Sequence, residues 1–373
     1  MLGDRAAPWR HLDATLLVVS AAIASFGALM VYSSTQRRLD VAGVDPQLYL
    51  KRQVLYVAVG VIAMLVVTLI DYRVFRDFAP LLYFGTLGLL LLVLSPLGST
   101  NKGAQAWFQL GSFQFQPSEF AKLALILSLA SYAAAHRGEL DLQTMGRLLV
   151  MGGAPIALIN LQPDLGTALV LVAIFFGVLL VAGAQPKHLL LLALVGVVGA
   201  VAVIQLGILK QYQLDRLGAF LDPQAEGRAQ RTAYNLNQSK IAIGSGGLTG
   251  KGLFQGTQTN LSYVPEQHSD FIFTVVGEEL GLVGTSVLLS LFALVVWRTW
   301  RTAVLAKDLS GTLICVGVMS MMVFQIFENV GMTMGIMPIT GIPLPLMSFG
   351  GSATVATFIA IGLVLNVHMR RFS

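Results

Sequence analysis

A single cysteine, Cys315, has no partner within the 373 residues, so intrachain disulfides and thiolate metal clusters are excluded. Charge is scarce too: Asp, Glu, Lys and Arg make up 12% of residues against 55% apolar, and the mean hydropathy is +0.74. Water alone does not solvate such a chain, and a multispanning membrane protein is the class that remains. Nucleotide loops are missing as well. A phosphate-binding loop ending at Gly250-Lys251 requires glycine at 245 and Ser or Thr at 252, where Ser245 and Gly252 stand. The dinucleotide pattern from Gly244 fails in turn, because Thr249 holds its last position.

What the chain has in quantity is apolar runs of the length a bilayer requires, about 20 residues at ~1.5 Å each. They fall at roughly 12–33, 53–70, 78–95, 118–136, 147–162, 164–183, 187–208, 271–297, 310–334 and 348–368. The expected fold is therefore an all-α membrane protein of ten transmembrane helices, one polytopic domain over 1–373, with a large hydrophilic loop at 209–270 between helices 7 and 8. The first run lacks a small-residue cleavage site after it and reads as a retained span. With the N-terminus inside, twelve Lys and Arg fall in cytoplasmic segments and five (Arg37, Arg38, Lys51, Arg52, Lys102) in short outer loops. That bias places both termini in the cytoplasm and the 209–270 loop outside.

The polar residues that interrupt the spans then gather at the outer face. In QPSEFAKL, Pro117 suits a first helical turn, and Glu119 and Lys122 lie three apart on one face. A dipole-favoured glutamate with a snorkelling lysine is one reading of that pair, and a site is the other. Asp164 in QPDLG is placed to cap the next span. In VPEQHSDFIF, Asp270 stands where the hydrophilic loop meets an apolar run, so it is either a helix cap or a carboxylate poised between two solvents. His268 beside it reads as a loop histidine. Glu278 and Glu279 lie eight and nine residues beyond Asp270, ~12 Å down a helix, where at least one needs a polar cavity or a cation, so a wet cleft is expected. The loop itself carries six basic residues (Lys210, Arg216, Arg228, Arg231, Lys240, Lys251) against five acidic ones, which is no nucleic-acid footprint. Its glycine-rich stretch SKIAIGSGGLTGKGLFQGT is either a flexible loop or an anion-binding nest flanked by Lys240 and Lys251. The proline-rich 335–347 segment is either a lid or an irregular connection.

The strings KGAQAWF, FQPSEFAKLA, QPDLGTALV, QSKIAIGSGGLTGKGLFQGTQ, VPEQHSDFIF, GEELGLVG and MPITGIPLPLMSFGGSA resemble the signature segments of the SEDS family (shape, elongation, division, sporulation), in the family's order. The run SKIAIGSGGLTGKG is more similar to its RodA-like elongation branch than to its division branch. The resemblance implies a peptidoglycan glycosyltransferase of the bacterial plasma membrane that polymerises lipid II onto a lipid-linked glycan beside a class B penicillin-binding protein. It also implies catalytic Asp270 and substrate-binding Glu119, Lys122 and Asp164. Many relatives carry arginine where Ala106 and Gln114 stand here, which leaves Lys102, Lys240 and Lys251 as candidates for a diphosphate contact.

The chemistry asks for a base to take a proton from a sugar hydroxyl and for positive charge on a departing diphosphate. Asp270 fits the first and Lys122 with Lys240 the second, a divalent cation (Mg or Mn) being the alternative. Two other functions are open: a lipid flippase or exporter, which Glu278, Glu279, Glu328 and Asn329 would serve inside the bilayer, and a noncatalytic cell-wall scaffold.

Overall fold

The computed structural model describes residues 11–101, 104–111, 113–136, 141–205, 211–221 and 230–371. Helices α1 (Ala14–Val41), α2 (Leu48–Leu69), α3 (Tyr72–Asp77) and α4 (Ala79–Val93) come first, and strands β1 (Ser99–Asn101), β2 (Ala104–Leu110) and β3 (Phe113–Phe115) follow. Then come α5 (Pro117–Ala135), α6 (Leu142–Leu161), α7 (Leu165–Ala182), α8 (Pro186–Gln205), α9 (Gln211–Leu221), α10 (Gln230–Gly246), α11 (Thr257–Asn260), α12 (Ile272–Val304), α13 (Leu309–Met334) and α14 (Gly351–Met369).

Among the described residues, eight helices are long and apolar enough to cross a membrane: α1, α2, α5, α6, α7, α12, α13 and α14. Where the two other spans are expected, the structure has shorter apolar helices, Ala79–Val93 and Pro186–Gly199. The expected outer loop before α5 is a small antiparallel sheet, in which Phe108 opposes Phe115.

Side-chain chemistry sets the helix ends. Asp13, Asp141, Asp164 and Asp308 each cap a helix by accepting a backbone N–H in its first turn, and Pro117 opens α5, where its missing N–H costs nothing. Helices α14 and α5 form the middle of the bundle, with 89% and 72% of their apolar windows buried against 33% for α2 and 28% for α12. Ile62, Leu65, Leu81, Phe84, Leu190, Val287 and other large apolar side chains on the outer helices are exposed, as a lipid solvent requires.

One end of the bundle is closed by charge. Arg298 pairs with Asp13 at 2.6 Å, Arg370 with Asp71 at 3.4 Å, and the Tyr72 hydroxyl donates to Asp308 at 2.8 Å. Burial, reinforced by Asp308, pushes the Tyr72 phenol up to about 12. The motif residues lie at the other end.

Candidate active site

The glycine-rich stretch departs most from its sequence expectation, because SKIAIGSG is helical and forms the last turns of α10. Ala233, Leu236, Ser239 and Ala242 recur at threefold spacing and are buried, so this is an amphipathic helix set into the bundle. Ser239 bridges the Thr274 hydroxyl at 2.7 Å and the Thr333 carbonyl at 2.8 Å, joining α10 to α12 and α13.

The glycines that follow dock onto a break in α12. Gly281 has φ 63 inside that helix, and the freed backbone is taken up by the turn: Leu282 N–H donates to Gly247 O at 2.9 Å and Gly252 N–H to Glu279 O at 2.9 Å. A methyl on Gly250 would lie 2.1 Å from Glu279 O, and one on Gly281 would lie 2.4 Å from Gly250 N, so only hydrogen fits at either position. Small residues here bring two backbones together.

The same turn satisfies the buried glutamate. Glu278 accepts from Lys251 Nζ at 2.7 Å, Gln258 N–H at 2.8 Å, and Thr259 through both N–H and hydroxyl at 2.9 and 2.7 Å. Ser33 donates to Glu279 at 2.5 Å. The expected cation partner exists and is Lys251, but the expected wet cleft is filled by the 247–260 turn, which brings its own donors.

Asp270 lies beyond this plug and is half-buried. It is not the cap of α12: that position is Phe271, where no side-chain oxygen accepts a backbone N–H. Glu266, at φ 57, collects the N–H groups of Ser269, Asp270 and Phe271 on its carbonyl, so a tight turn sets the Asp270 backbone. From below, Asn329 donates to Asp270 O and Ile342 O, both at 2.8 Å. From the side, Ser348 donates to Ser269 O at 2.6 Å and Phe349 N–H to His268 O at 2.9 Å. His268 stacks edge-on to Tyr49 at 4.8 Å, a packing role.

The proline-rich segment is a strap packed into the core, with Ile342, Leu344, Leu346 and Met347 buried. It forms a wall of the site. Thr340 on the strap donates its hydroxyl to Glu328 Oε1 at 3.0 Å, and its carbonyl accepts from Arg216 Nη1 of α9 at 3.1 Å. A methyl built on Gly341, whose φ is +79, would stand 3.3 Å from Asp270 Oδ2 and 3.9 Å from Arg216 Nη1. Arg216, which composition presents as one of six loop cations, is thus placed at the expected catalytic carboxylate.

Asp164 caps α7 through Thr167 N–H at 3.0 Å and accepts from Gln116 at 3.4 Å. Gln116 N–H in turn donates to Ser352, and the first turn of α7 touches the strap, where a methyl on Gly166 would lie 3.1 Å from Thr340 O. Glu119 and Lys122 form a buried ion pair at 2.7 Å with 4% and 2% of their side chains exposed. Lys240 sets its ammonium over Gly335, the left-handed cap of α13. Lys102, Lys210 and Arg228 lie outside the described residues.

A helical bundle in the membrane with an acidic residue held at one rim, between a hydrophilic segment and a buried strap, defines a polytopic protein with a membrane-surface site. The sequence model of the FtsW, RodA and SpoVE family, described as a cell cycle protein, matches residues 13–372, and the chain belongs to that family. It is 36% identical over 361 residues to the peptidoglycan glycosyltransferase MrdB of Escherichia coli strain K12, covering 97% of this chain and 94% of that one. It is also 36% identical over 358 residues to the stage V sporulation protein E of Bacillus subtilis, covering 95% of this chain and 96% of that one. Among solved structures it is similar to the rod shape determining protein RodA of Thermus thermophilus, with TM-score 0.73, 32% identity, and coverage of 98% and 100% of the two chains. A chain from a structure described as a peptidoglycan synthase complex that coordinates polymerization and crosslinking matches with TM-score 0.81 and 32% identity, covering 97% of this chain and 99% of that one.

Proposed function

We propose that Asp270 is the general base with which this chain, a peptidoglycan glycosyltransferase of the plasma membrane, activates the acceptor hydroxyl of lipid II. The observation that carries the reading is that Asp270 is not the cap of α12 while its backbone is fixed by Asn329 and the 266–271 turn. A sugar hydroxyl is a poor nucleophile at neutral pH, and a positioned carboxylate that removes its proton as the bond forms accelerates transfer ~10²- to 10⁴-fold. The acceptor oxygen bonds to the anomeric carbon of the lipid-linked glycan, the bond from that carbon to the diphosphate breaks, and the hydroxyl proton passes to Asp270. One displacement inverts the anomeric centre.

Asp164 shapes the floor through α7, and the Glu119–Lys122 pair and Lys240 support the substrate-binding surface around it. Among the described residues no three His, Cys, Asp or Glu side chains are grouped to hold a metal ion. A divalent cation engaged there would draw its other ligands from the diphosphate. The rim carrying Asp270 faces outward and both termini face the cytoplasm, in keeping with the basic residues at the opposite end. The SKIAIGSGGLTGKG run favours a role in elongation, and the class B penicillin-binding protein is the partner that would crosslink the product. Export loses part of its sequence support, because Glu278 and Glu279 are bound to the 247–260 turn and Ser33.

The test is to purify the protein with its transpeptidase partner and supply lipid II. Glycan polymer supports the reading, whereas movement of lipid II across liposomes without polymer supports export.

A further inference from the structure

Resting on that reading, we infer that Arg216 is the group that holds the substrate diphosphate. A displacement at a glycosyl carbon places the attacked atom between base and leaving group, so the cation that receives the diphosphate stands near the base but apart from it. Arg216 stands beside the base, since Asp270 Oδ2 and Arg216 Nη1 lie 3.3 and 3.9 Å from one point, that of a methyl built on Gly341. Three described cations also considered for this task face other groups. Lys122 is 2% exposed and paired with Glu119, Lys251 is on Glu278, and Lys240 lies over the cap of α13.

Guanidinium chemistry suits the task. Its planar fork has five N–H donors and matches phosphate oxygens two at a time, and it keeps its charge at any pH of interest. One donor holds the Thr340 carbonyl at 3.1 Å, which aligns the fork against the strap. Thr340 is itself fixed by its hydroxyl on Glu328. Helix α9 thereby carries a phosphate clamp to the rim of the bundle, and the occupant is a prenyl diphosphate.

The test compares wild type, Arg216→Lys and Arg216→Gln for inhibition of lipid II polymerisation by a short prenyl diphosphate and by the matching prenyl alcohol. Wild type prefers the diphosphate. Arg216→Gln loses that preference and raises the KM for lipid II ~10- to 100-fold, as expected for a lost hydrogen bond between charged groups, and Arg216→Lys falls between. An unchanged preference in Arg216→Gln overturns the assignment, since a merely structural arginine would lower activity without altering the ratio. Protection against thermal unfolding is read in parallel. If wild type makes no polymer, protection by the diphosphate that Arg216→Gln lacks still supports the clamp, while the glycosyltransferase reading fails alone. Equal protection of both proteins overturns the clamp.

Discussion

Asn329 donates to the main-chain carbonyl of Asp270 at 2.8 Å and, through the same amide nitrogen, to Ile342 O at 2.8 Å, so one buried side chain joins the carboxylate's backbone to the strap. Replacing it by leucine takes this donor away from both carbonyls, at ~1–3 kcal/mol each. The Asn329→Leu protein is expected to unfold at lower temperature and to lose kcat more than lipid II affinity. Steady-state polymerisation kinetics beside a melting curve check this.

Gly341 tests the geometry from the other side. Its φ of +79 disfavours an L side chain, and an added methyl would press on Asp270 Oδ2 at 3.3 Å. Gly341→Ala is expected to lower turnover ~10- to 100-fold, the range a small misplacement of a reacting group produces. Stability should fall by only ~1–2 kcal/mol.

The Glu119–Lys122 pair separates support from binding. Removing one partner strands a buried charge, so Lys122→Met or Glu119→Gln alone is expected to destabilise the protein by ~3–5 kcal/mol, while the double variant recovers much of that. Polymerisation by the refolded double variant decides the role. Recovered stability without recovered activity supports substrate binding by Lys122, and recovery of both reduces the pair to a structural one.

Glu278 is expected to matter for folding and not for chemistry. Its carboxylate gathers the N–H groups of Gln258 and Thr259 together with Lys251. Glu278→Ala leaves those donors buried and detaches the 247–260 turn from α12, which a fall in melting temperature and faster proteolysis within 247–260 would report. Ser33→Ala should be milder, because it removes a single donor from Glu279.

The helices, and the position of Asp270 at the edge of one, were legible in the sequence for a physical reason: apolar length marks a span, and a carboxylate at its edge is conspicuous. The glycine-rich stretch misled, because its glycines serve the close approach of α10 to the α12 break, and nothing in the local pattern tells helix docking from an anion nest. Arg216 was invisible. Its strap partner Thr340 is 124 positions away, and composition alone gives six loop cations equal standing. Glu278 showed the opposite case, since its burial demanded a cation that the fold supplies from Lys251, 27 positions upstream.

The most direct measurement is the single-turnover rate of lipid II polymerisation by Asp270→Asn beside wild type, with lipid II binding measured on the same preparations. The account predicts a rate reduced ~10²- to 10⁴-fold with binding unchanged within a few-fold. Polymer from Asp270→Asn at the wild-type rate would contradict it.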